Sequence, residues 1–426
     1  YMKKLALMVM LATVAGSSMA QNSAIKKARS AFDESVATEE YKDEAGQKKI
    51  RTVIKWEKVA EAQELLTPAF TNEKTKDFAM AWDLQGDIYQ RYMAAELNKA
   101  AAQEPLDTMK FYNYTAQMLD AYYKALDADK KGTYKLKNED NMSKFRQNYI
   151  YCGQFFSQNN QPLNSHNAFA KWLNFPKDYP NLSGQFMDLS VGNIDPNMVA
   201  FYCALTAYQA KKYELMDPYR EQALAYEKDS ETAHQLYLFS TLERGDTAQW
   251  EQMSEDFAIK GCAGDGIAQN LLAHYFSKKA TDKINAFADK LMASRPQEKY
   301  GPYAKGMLAS DAENYEEAIK WYDKTLEVEP EFFDALFQAG TAYLNCAYKM
   351  NDALESKKMT VAEQKKALEP IKELCRKAEP YFLKIRELRP DEPLRWAPRL
   401  RQIYYVLEDE AKQKEIEPYC EALSND

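Results

Sequence analysis

The chain has 426 residues, and its 64 acidic and 56 basic side chains give a formal net charge of −8 at pH 7. This acidic balance argues against nucleic-acid binding, which needs clustered basic side chains facing the phosphates. Only 14 glycines but 29 tyrosines argue against a turn-rich sheet protein and favour long helices with interdigitating aromatic side chains.

Residues 2–20 have the pattern of a secretory signal peptide. Lys3 and Lys4 precede an apolar run, and a short exit sequence ends at Ala20. We expect cleavage after Ala20, a mature chain that begins at Gln21, and a periplasmic location, with secretion from the cell as the alternative. No later segment approaches the roughly eighteen apolar residues of a membrane span, so the chain is not expected to span a membrane.

From residue 21 onward, aromatic, apolar and small residues recur at helical spacing. Two segments interrupt this pattern, 127–141 around Gly132 and 176–196, which is rich in Pro, Gly and Asn. The second segment either divides the chain near residue 190 or forms a long loop between repeats. The residues that carry the helical pattern before residue 299 are Trp82, Gly86, Tyr89, Tyr122, Ala125, Ala168, Trp172, Phe175, Pro180, Tyr213, Ala223, Ile284, Ala288, Leu291 and Pro296.

The clearest repeat occupies residues 299–332. It contains Gly306, Tyr315, Ala318, Tyr322 and Pro330, and a glycine and a tyrosine return at the same period as Gly340 and Tyr343. The pattern resembles the tetratricopeptide repeat (TPR), a helix-turn-helix unit of about 34 residues. The resemblance implies an all-α, right-handed superhelical solenoid of antiparallel helix pairs, with about seven to nine hairpins.

An insert at about residues 344–377 enlarges the next unit. Thr360 to Glu363 has the signature of a capping box at a helix start. We expect both helices of this unit to be lengthened and to project beyond the edge of the solenoid. Pro370 and Pro380 are expected to end or kink the returning helix.

These patterns divide the chain into four parts. Residues 1–20 are the signal peptide, 21–190 hold degenerate TPR-like repeats, and 191–298 hold the central repeats. Residues 299–426 hold the clear C-terminal repeats with the insert, and a last hairpin that begins near Trp396 caps the array.

The resemblance also implies a binding surface, because the first helix of each TPR unit lines the concave face. Such an aromatic groove suits an extended peptide or a partner helix. The alternative is that these aromatic side chains pack between repeats or beneath the insert. The residues carried over to this face are Tyr300, Tyr303, Met307, Phe337, Thr341, Asn345, Arg401, Tyr404 and Tyr405.

Catalytic chemistry has no positive signal in the sequence. His166, His234 and His274 are not at metal-ligand spacing, and no nucleophile, phosphate-loop or zinc-protease motif occurs, so we predict no enzyme, no metal and no cofactor. The six cysteines form no CxxC pair. Cys346 and Cys375 flank one hairpin and are the pair to test for a disulfide; the alternative is that the cysteines are small buried hydrophobes.

The sequence therefore predicts a periplasmic scaffold or adaptor that binds another envelope protein or a peptide of one. Two alternatives remain open: a periplasmic chaperone for outer-membrane clients, and a solute- or glycan-binding protein. The partner, the oligomeric state and the role of the insert are not determined by the sequence.

Overall fold

The computed structural model describes residues 22–189, 194–262, 264, 266–355 and 359–424, and most of them are helical. The predicted signal peptide, residues 1–20, lies outside the described residues. No helix in the described ranges is both long and apolar enough to cross a membrane. The chain divides into two compact units, Tyr1–Leu236 and Tyr237–Asp426. The domain boundaries after residues 190 and 298 stay predictions.

The all-α fold is confirmed. The helices are α1 (22–33), α2 (Trp56–Leu66), α3 (Ala79–Ala101), α4 (Thr108–Ala128), α5 (Lys135–Phe145), α6 (Asn148–Gln158), α7 (Pro162–Leu173), α8 (Phe175–Asp178), α9 (Gly184–Met187), α10 (Pro196–Gln209), α11 (Arg220–Leu224), α12 (Ser230–Glu243), α13 (Thr247–Lys260), α14 (Gly266–Ser277), α15 (Thr281–Ser294), α16 (Tyr300–Asp311), α17 (Tyr315–Val328), α18 (Phe333–Glu355), α19 (Val361–Leu388), α20 (Ala397–Leu407) and α21 (Glu410–Ser424). Short 3-10 helices lie at Thr67–Phe70, Tyr213–Tyr219, Glu227–Asp229 and Pro393–Arg395.

The sequence did not predict one element, an antiparallel β-hairpin between α1 and α2. Its strands are β1 (Val36–Lys42) and β2 (Lys48–Ile54), paired from Val36 with Ile54 to Lys42 with Lys48. Most of its side chains are exposed, so it lacks the alternation of buried and polar residues by which a strand is recognised.

Side-chain caps fix several helix starts. The carboxylates of Asp107, Asp195 and Asp246 accept backbone N–H groups at the starts of α4, α10 and α13, which satisfies donors that have no partner inside the helix. Gly261 has a φ of 69° and ends α13 in the left-handed conformation that glycine adopts without strain.

In the first unit, two glycines mark the crossings of paired helices. A Cβ at Gly86 of α3 would lie 2.4 Å from the ring of Tyr122 on α4, as the predicted pairing requires. A Cβ at Gly153 of α6 would lie 2.5 Å from the ring of Phe169 on α7. Trp172 is one of the residues that carry the helical pattern in this segment, but the ring at this crossing is that of Phe169. Trp172, also on α7, is buried.

The second unit repeats this contact twice. A Cβ at Gly306 of α16 would lie 2.6 Å from the Tyr322 ring on α17, and one at Gly340 of α18 would lie 2.7 Å from the Phe382 ring on α19. In each pair a missing side chain lets the helices approach, and an aromatic ring fills the space. The predicted TPR-like pairing is thus present in residue-level contacts.

The insert lengthens α18 and α19, as predicted. They have 23 and 28 residues, against 12 and 14 in α16 and α17. Thr360 forms the predicted capping box with Glu363. Of the two expectations for Pro370 and Pro380, that they end the returning helix is wrong, because α19 continues through both. That they kink it stays a prediction. We call the part of this helix pair formed by 348–355 and 361–370 the arm; most of its described side chains are exposed.

The expected test pair of cysteines is not bridged. Within the described ranges no two cysteines form a disulfide. Cys375 is buried in a core cluster with Ile371 and Phe382, whereas Cys346 packs against a different cluster with Ala318 and Tyr322. The two side chains therefore act as small hydrophobes in separate parts of the core, which was the alternative interpretation.

Candidate functional site

The predicted concave residues of α16 mainly pack between helices. Tyr300 is 5% exposed and donates its hydroxyl hydrogen to Oε1 of Gln269 at 3.1 Å. Tyr303 packs against Phe332 and Tyr322, with ring centroids 5.2 and 5.9 Å apart. Burial raises the pKa of Tyr303 above its ordinary value.

The neighbouring predicted residues on α16 and α18 are also partly covered. Met307 packs against the cluster around Tyr322, and Phe337 meets the edge of Phe382 at a ring distance of 6.1 Å. Asn345 is partly buried. Thr341 differs from these residues because its hydroxyl oxygen is buried and has no hydrogen-bond partner in the described part of the chain.

The predicted residues of α20 differ sharply in exposure. Tyr404 is 3% exposed, and Lys412 lies over its ring at 5.1 Å. Arg401 is exposed and forms an ion pair with Glu417 at 3.5 Å. Tyr405 is 74% exposed, so it offers the largest free aromatic surface of the predicted set. Whether these residues bind a partner stays a prediction, but Tyr300 and Tyr404 present almost no surface for one.

The arm creates two clefts because its neighbours are shorter. At 1.5 Å per residue, α18 is about 34 Å long, whereas α20, with 11 residues, is about 16 Å long. Among the described residues, the flanks of α18 and α19 beyond the ends of the shorter helices line open clefts. Two cavities of the second unit lie on these flanks.

The first arm cleft has a volume of 620 Å³ and lies between the arm, α20 and the start of α21. Its base is apolar and continuous with the core, since Leu344, Ile371 and Cys375 are buried there. Tyr348, which is 38% exposed, and Tyr405 stand at its edge. Its lining is Leu344, Ala347, Tyr348, Asn351, Leu368, Ile371, Lys372, Cys375, Gln402, Tyr405, Val406, Glu408, Glu410 and Gln413.

Polar groups surround this apolar base without forming a reactive centre. Lys372 pairs with Glu408 at 3.1 Å. Burial raises the pKa of Cys375 to about 11, so its thiol is protonated at neutral pH and is a poor nucleophile. The arrangement is suited to holding apolar side chains of a ligand within a polar border.

The second arm cleft has a volume of 870 Å³ and lies between the arm and α17. Its apolar lining includes Tyr315, Tyr343 and Met350, and Lys349 pairs with Glu313 at 2.9 Å along one side. Charges of both signs line this cleft, so it has no single electrostatic preference.

The three histidines are all held by local hydrogen bonds. Nδ1 of His166 is 2.9 Å from the backbone oxygen of Cys203, and Nδ1 of His234 is 2.6 Å from that of Ser230. Nε2 of His274 contacts Glu251 at 2.8 Å. Across the described ranges, no cluster of three or more His, Cys, Asp or Glu side chains is arranged to hold a metal ion.

Sequence reasoning missed Tyr348, Leu368 and Ile371 as cleft residues. The available signal was the length of the insert: helices longer than both neighbours must leave part of each flank uncovered. The repeat pattern also missed polar residues in the first unit. Aligning Gly86 with Gly306 places Asp87 at the position of Met307 and Arg91 at that of Asp311.

No family model and no curated protein sequence matches the chain at a significant level. Solved structures with similar helical architecture include the C-terminal part of a TPR repeat-containing protein from Cytophaga hutchinsonii, at 15% identity and a TM-score of 0.38, covering 65% of this chain and 95% of that one. The TPR2AB-domain:pHSP90 complex of yeast Sti1 matches at 13% identity and a TM-score of 0.23, covering 76% of this chain and 100% of that one. A human IFIT1 dimer with PPP-AAAA matches at 13% and 0.22, covering 87% and 88%.

These TM-scores are all below 0.5, so we base the fold class of this chain on its own helix pairing. The repeated contact of a glycine on one helix with an aromatic ring on the next is found in α3–α4, α6–α7, α16–α17 and α18–α19. On that evidence the protein is an all-α chain of helical repeats, the fold class that the sequence resemblance implies.

Proposed function

We propose that this protein is an exported, periplasmic scaffold that binds a peptide or helix of another envelope protein in the first arm cleft. The observation that carries the proposal is the exposed Tyr405 and Tyr348 beside an apolar base of buried Leu344 and Ile371. Such a combination supplies aromatic anchors at the edge and a dry floor for apolar side chains of the partner.

The proposal moves the binding surface away from part of the predicted concave face. Of the predicted residues, Tyr405 is retained as a contact, whereas Tyr303, Phe337 and Tyr404 are assigned to packing. The rigid, continuous core beneath the cleft supports this role, because a preformed surface loses little entropy when it binds. The periplasmic location rests on the signal-peptide pattern of residues 2–20.

The test is an affinity capture from solubilised envelope extract with residues 21–426 immobilised, read by mass spectrometry. Tyr405→Ala combined with Tyr348→Ala should remove one or two stoichiometric partners while leaving the melting temperature nearly unchanged. Tyr151→Ala, which removes an exposed tyrosine from the first unit, is the matched control.

Three results would contradict the proposal. Capture unaffected by the double variant would place binding elsewhere, and a broad set of unfolded clients would favour the chaperone alternative. Exported protein that keeps residues 2–20 at its N-terminus would exclude the signal peptide. Cell fractionation and N-terminal sequencing of the native protein settle this last point.

A further inference from the structure

A separate pocket of 350 Å³ lies in the first unit, along one face of α3. That face contributes Asp87, Gln90, Arg91 and Asn98, with the small side chains of Ala94 and Ala95 between them. Phe32, Ile54 and Trp56 close the other side. Its volume is at the low end for small-molecule sites and suits a ligand the size of one sugar ring.

Arg91 is held in place before any ligand arrives. Its guanidinium lies over the ring of Phe32 at 4.2 Å, and Nη1 donates to the hydroxyl oxygen of Ser35. The Ser35 hydroxyl in turn donates to the backbone oxygen of Phe32 at 2.5 Å, and Ser35 is fully buried. A side chain fixed on both sides loses little conformational freedom when it binds a ligand.

In the described ranges no carboxylate forms an ion pair with Arg91, unlike its neighbour Arg29. Arg29 pairs with Asp83 at 2.6 Å and with Asp87 at 2.7 Å. Asp87 also accepts from Lys137 and from the Tyr122 hydroxyl, so its oxygens are already engaged. Burial lowers the pKa of Arg91, partly offset by Asp87 and Asp33, but the group stays charged. An incoming carboxylate would supply the counter-charge and fit the planar fork of N–H donors.

The remaining polar side chains of the lining indicate that the ligand also carries groups other than a carboxylate. The Tyr122 hydroxyl oxygen lies 2.6 Å from Oε1 of Gln90 and 2.9 Å from Oδ1 of Asp87, so these two acceptors share its single hydrogen. The Gln90 amide also carries N–H donors, and Asn98 carries both a donor and an acceptor. Amide groups of this kind pair with hydroxyls, which also donate and accept. Trp56 is 42% exposed and adds an aromatic wall.

We propose that this pocket binds a sugar acid: its carboxylate on Arg91, its hydroxyls on Gln90 and Asn98, and its apolar ring face against Trp56. This site is independent of the scaffold function, because its lining residues belong to the first unit and the arm clefts to the second. The ligand is either a free sugar acid or the uronic-acid unit of a polysaccharide.

The test uses ligand-observed saturation-transfer NMR and calorimetry on residues 21–426 with four probes. Galacturonate has both the carboxylate and the hydroxyls, galactose lacks the carboxylate, and cyclohexanecarboxylate lacks the hydroxyls. Galacturonate should bind at least about tenfold more tightly than either of the others. The proposal is overturned if galactose or cyclohexanecarboxylate binds as tightly as galacturonate. It is also overturned if galacturonate does not bind at a concentration of about 10 mM. Trigalacturonate distinguishes the sources, since tighter binding than galacturonate indicates a polysaccharide.

Variants assign the binding to this pocket. Arg91→Gln should weaken galacturonate binding at least about tenfold, because it removes a charge-assisted contact. Asn98→Ala leaves the Arg91–Ser35–Phe32 contacts intact and should also weaken binding, which keeps the test valid if Arg91→Gln folds poorly. Arg51→Gln, which removes an exposed guanidinium from β2, should bind as the native protein does. Native affinity in both pocket variants would refute the assignment.

Discussion

Single glycines set how closely the paired helices approach. Gly306 has no room for a methyl group, because a Cβ there would lie 2.6 Å from the ring of Tyr322, which is fully buried. Gly266, at the start of α14 in the same unit, has nothing within 4 Å of a Cβ. Substitutions to alanine at these two positions therefore distinguish the effect of core packing on stability from the effect of helix propensity.

We predict that Gly306→Ala lowers the free energy of unfolding by about 1–3 kcal/mol through overpacking. Gly266→Ala, in contrast, should be neutral or stabilise by up to about 1 kcal/mol, because alanine favours the helix more than glycine does. Urea unfolding followed by circular dichroism measures both. An equal effect of the two substitutions would show that the Gly306–Tyr322 crossing is not tight.

One carboxylate in the second unit links stability to pH. Burial disfavours the charged form of Glu251, but hydrogen bonds from Lys283 and His274 outweigh burial and lower its pKa below the ordinary 4.5. A lowered folded-state pKa contributes stability above the unfolded-state pKa, and this stability is lost as pH falls through the folded value.

Glu251→Gln should therefore destabilise the protein at pH 7 and reduce the stability lost on acidification below about 4.5. Melting temperatures measured at intervals between about pH 7 and pH 3 test this prediction. Lys283→Met should reduce the acid sensitivity in the same direction, since it removes one of the bonds that lower the pKa. Parallel pH profiles for the native and variant proteins would contradict it.

At the level of elements, the start of α19 depends on its capping box. The Thr360 backbone N–H donates to Oε2 of Glu363 at 2.8 Å, and the Thr360 hydroxyl oxygen accepts from the Glu363 backbone N–H at 3.4 Å. The following turns are exposed, so they have little tertiary packing to hold them.

Thr360→Ala should reduce helix stability by about 1 kcal/mol and fray the first turns of α19. Hydrogen exchange of the amides in 363–368 is the direct measurement, and it should speed up several-fold. Thr360→Ser keeps the hydroxyl and should exchange at the native rate. Unchanged exchange in Thr360→Ala would mean that the arm is held by contacts other than its cap.

At the level of the whole molecule, the second unit contains its own core. The clusters around Phe382 and around Tyr322 are built from residues between 303 and 420. In repeat proteins, stability is approximately a sum of contributions from each repeat and its nearest neighbours. A fragment can therefore fold if it keeps enough adjacent helix pairs.

We predict that residues 246–426, which begin at the N-cap of α13, fold alone with a cooperative thermal transition. Circular dichroism and the near-ultraviolet signal of the buried Trp396 measure this. The same fragment with Gly306→Ala is the control and should melt at a lower temperature. A fragment that is helical but lacks a cooperative transition would show that its core needs residues before 246.

The sequence alone determined the helical class, the glycine–aromatic repeat, the lengthened helix pair and its capping box, because all of these depend on local spacing and backbone hydrogen bonding. It could not place the β-hairpin, whose exposed strands carry no burial pattern. Nor could it decide whether α19 continues through Pro370 and Pro380, because a proline inside a helical pattern can either end the helix or bend it.

Only the tertiary structure decided which aromatic side chains are free. Tyr404 and Tyr405 are adjacent and identical in type, yet one is buried against α21 and the other faces the first arm cleft. The Arg91 pocket likewise needs Phe32, Trp56 and α3 brought together from separate elements. Local spacing fixes which residues share a helix face, whereas the relative lengths and docking of neighbouring helices fix which of those faces are covered.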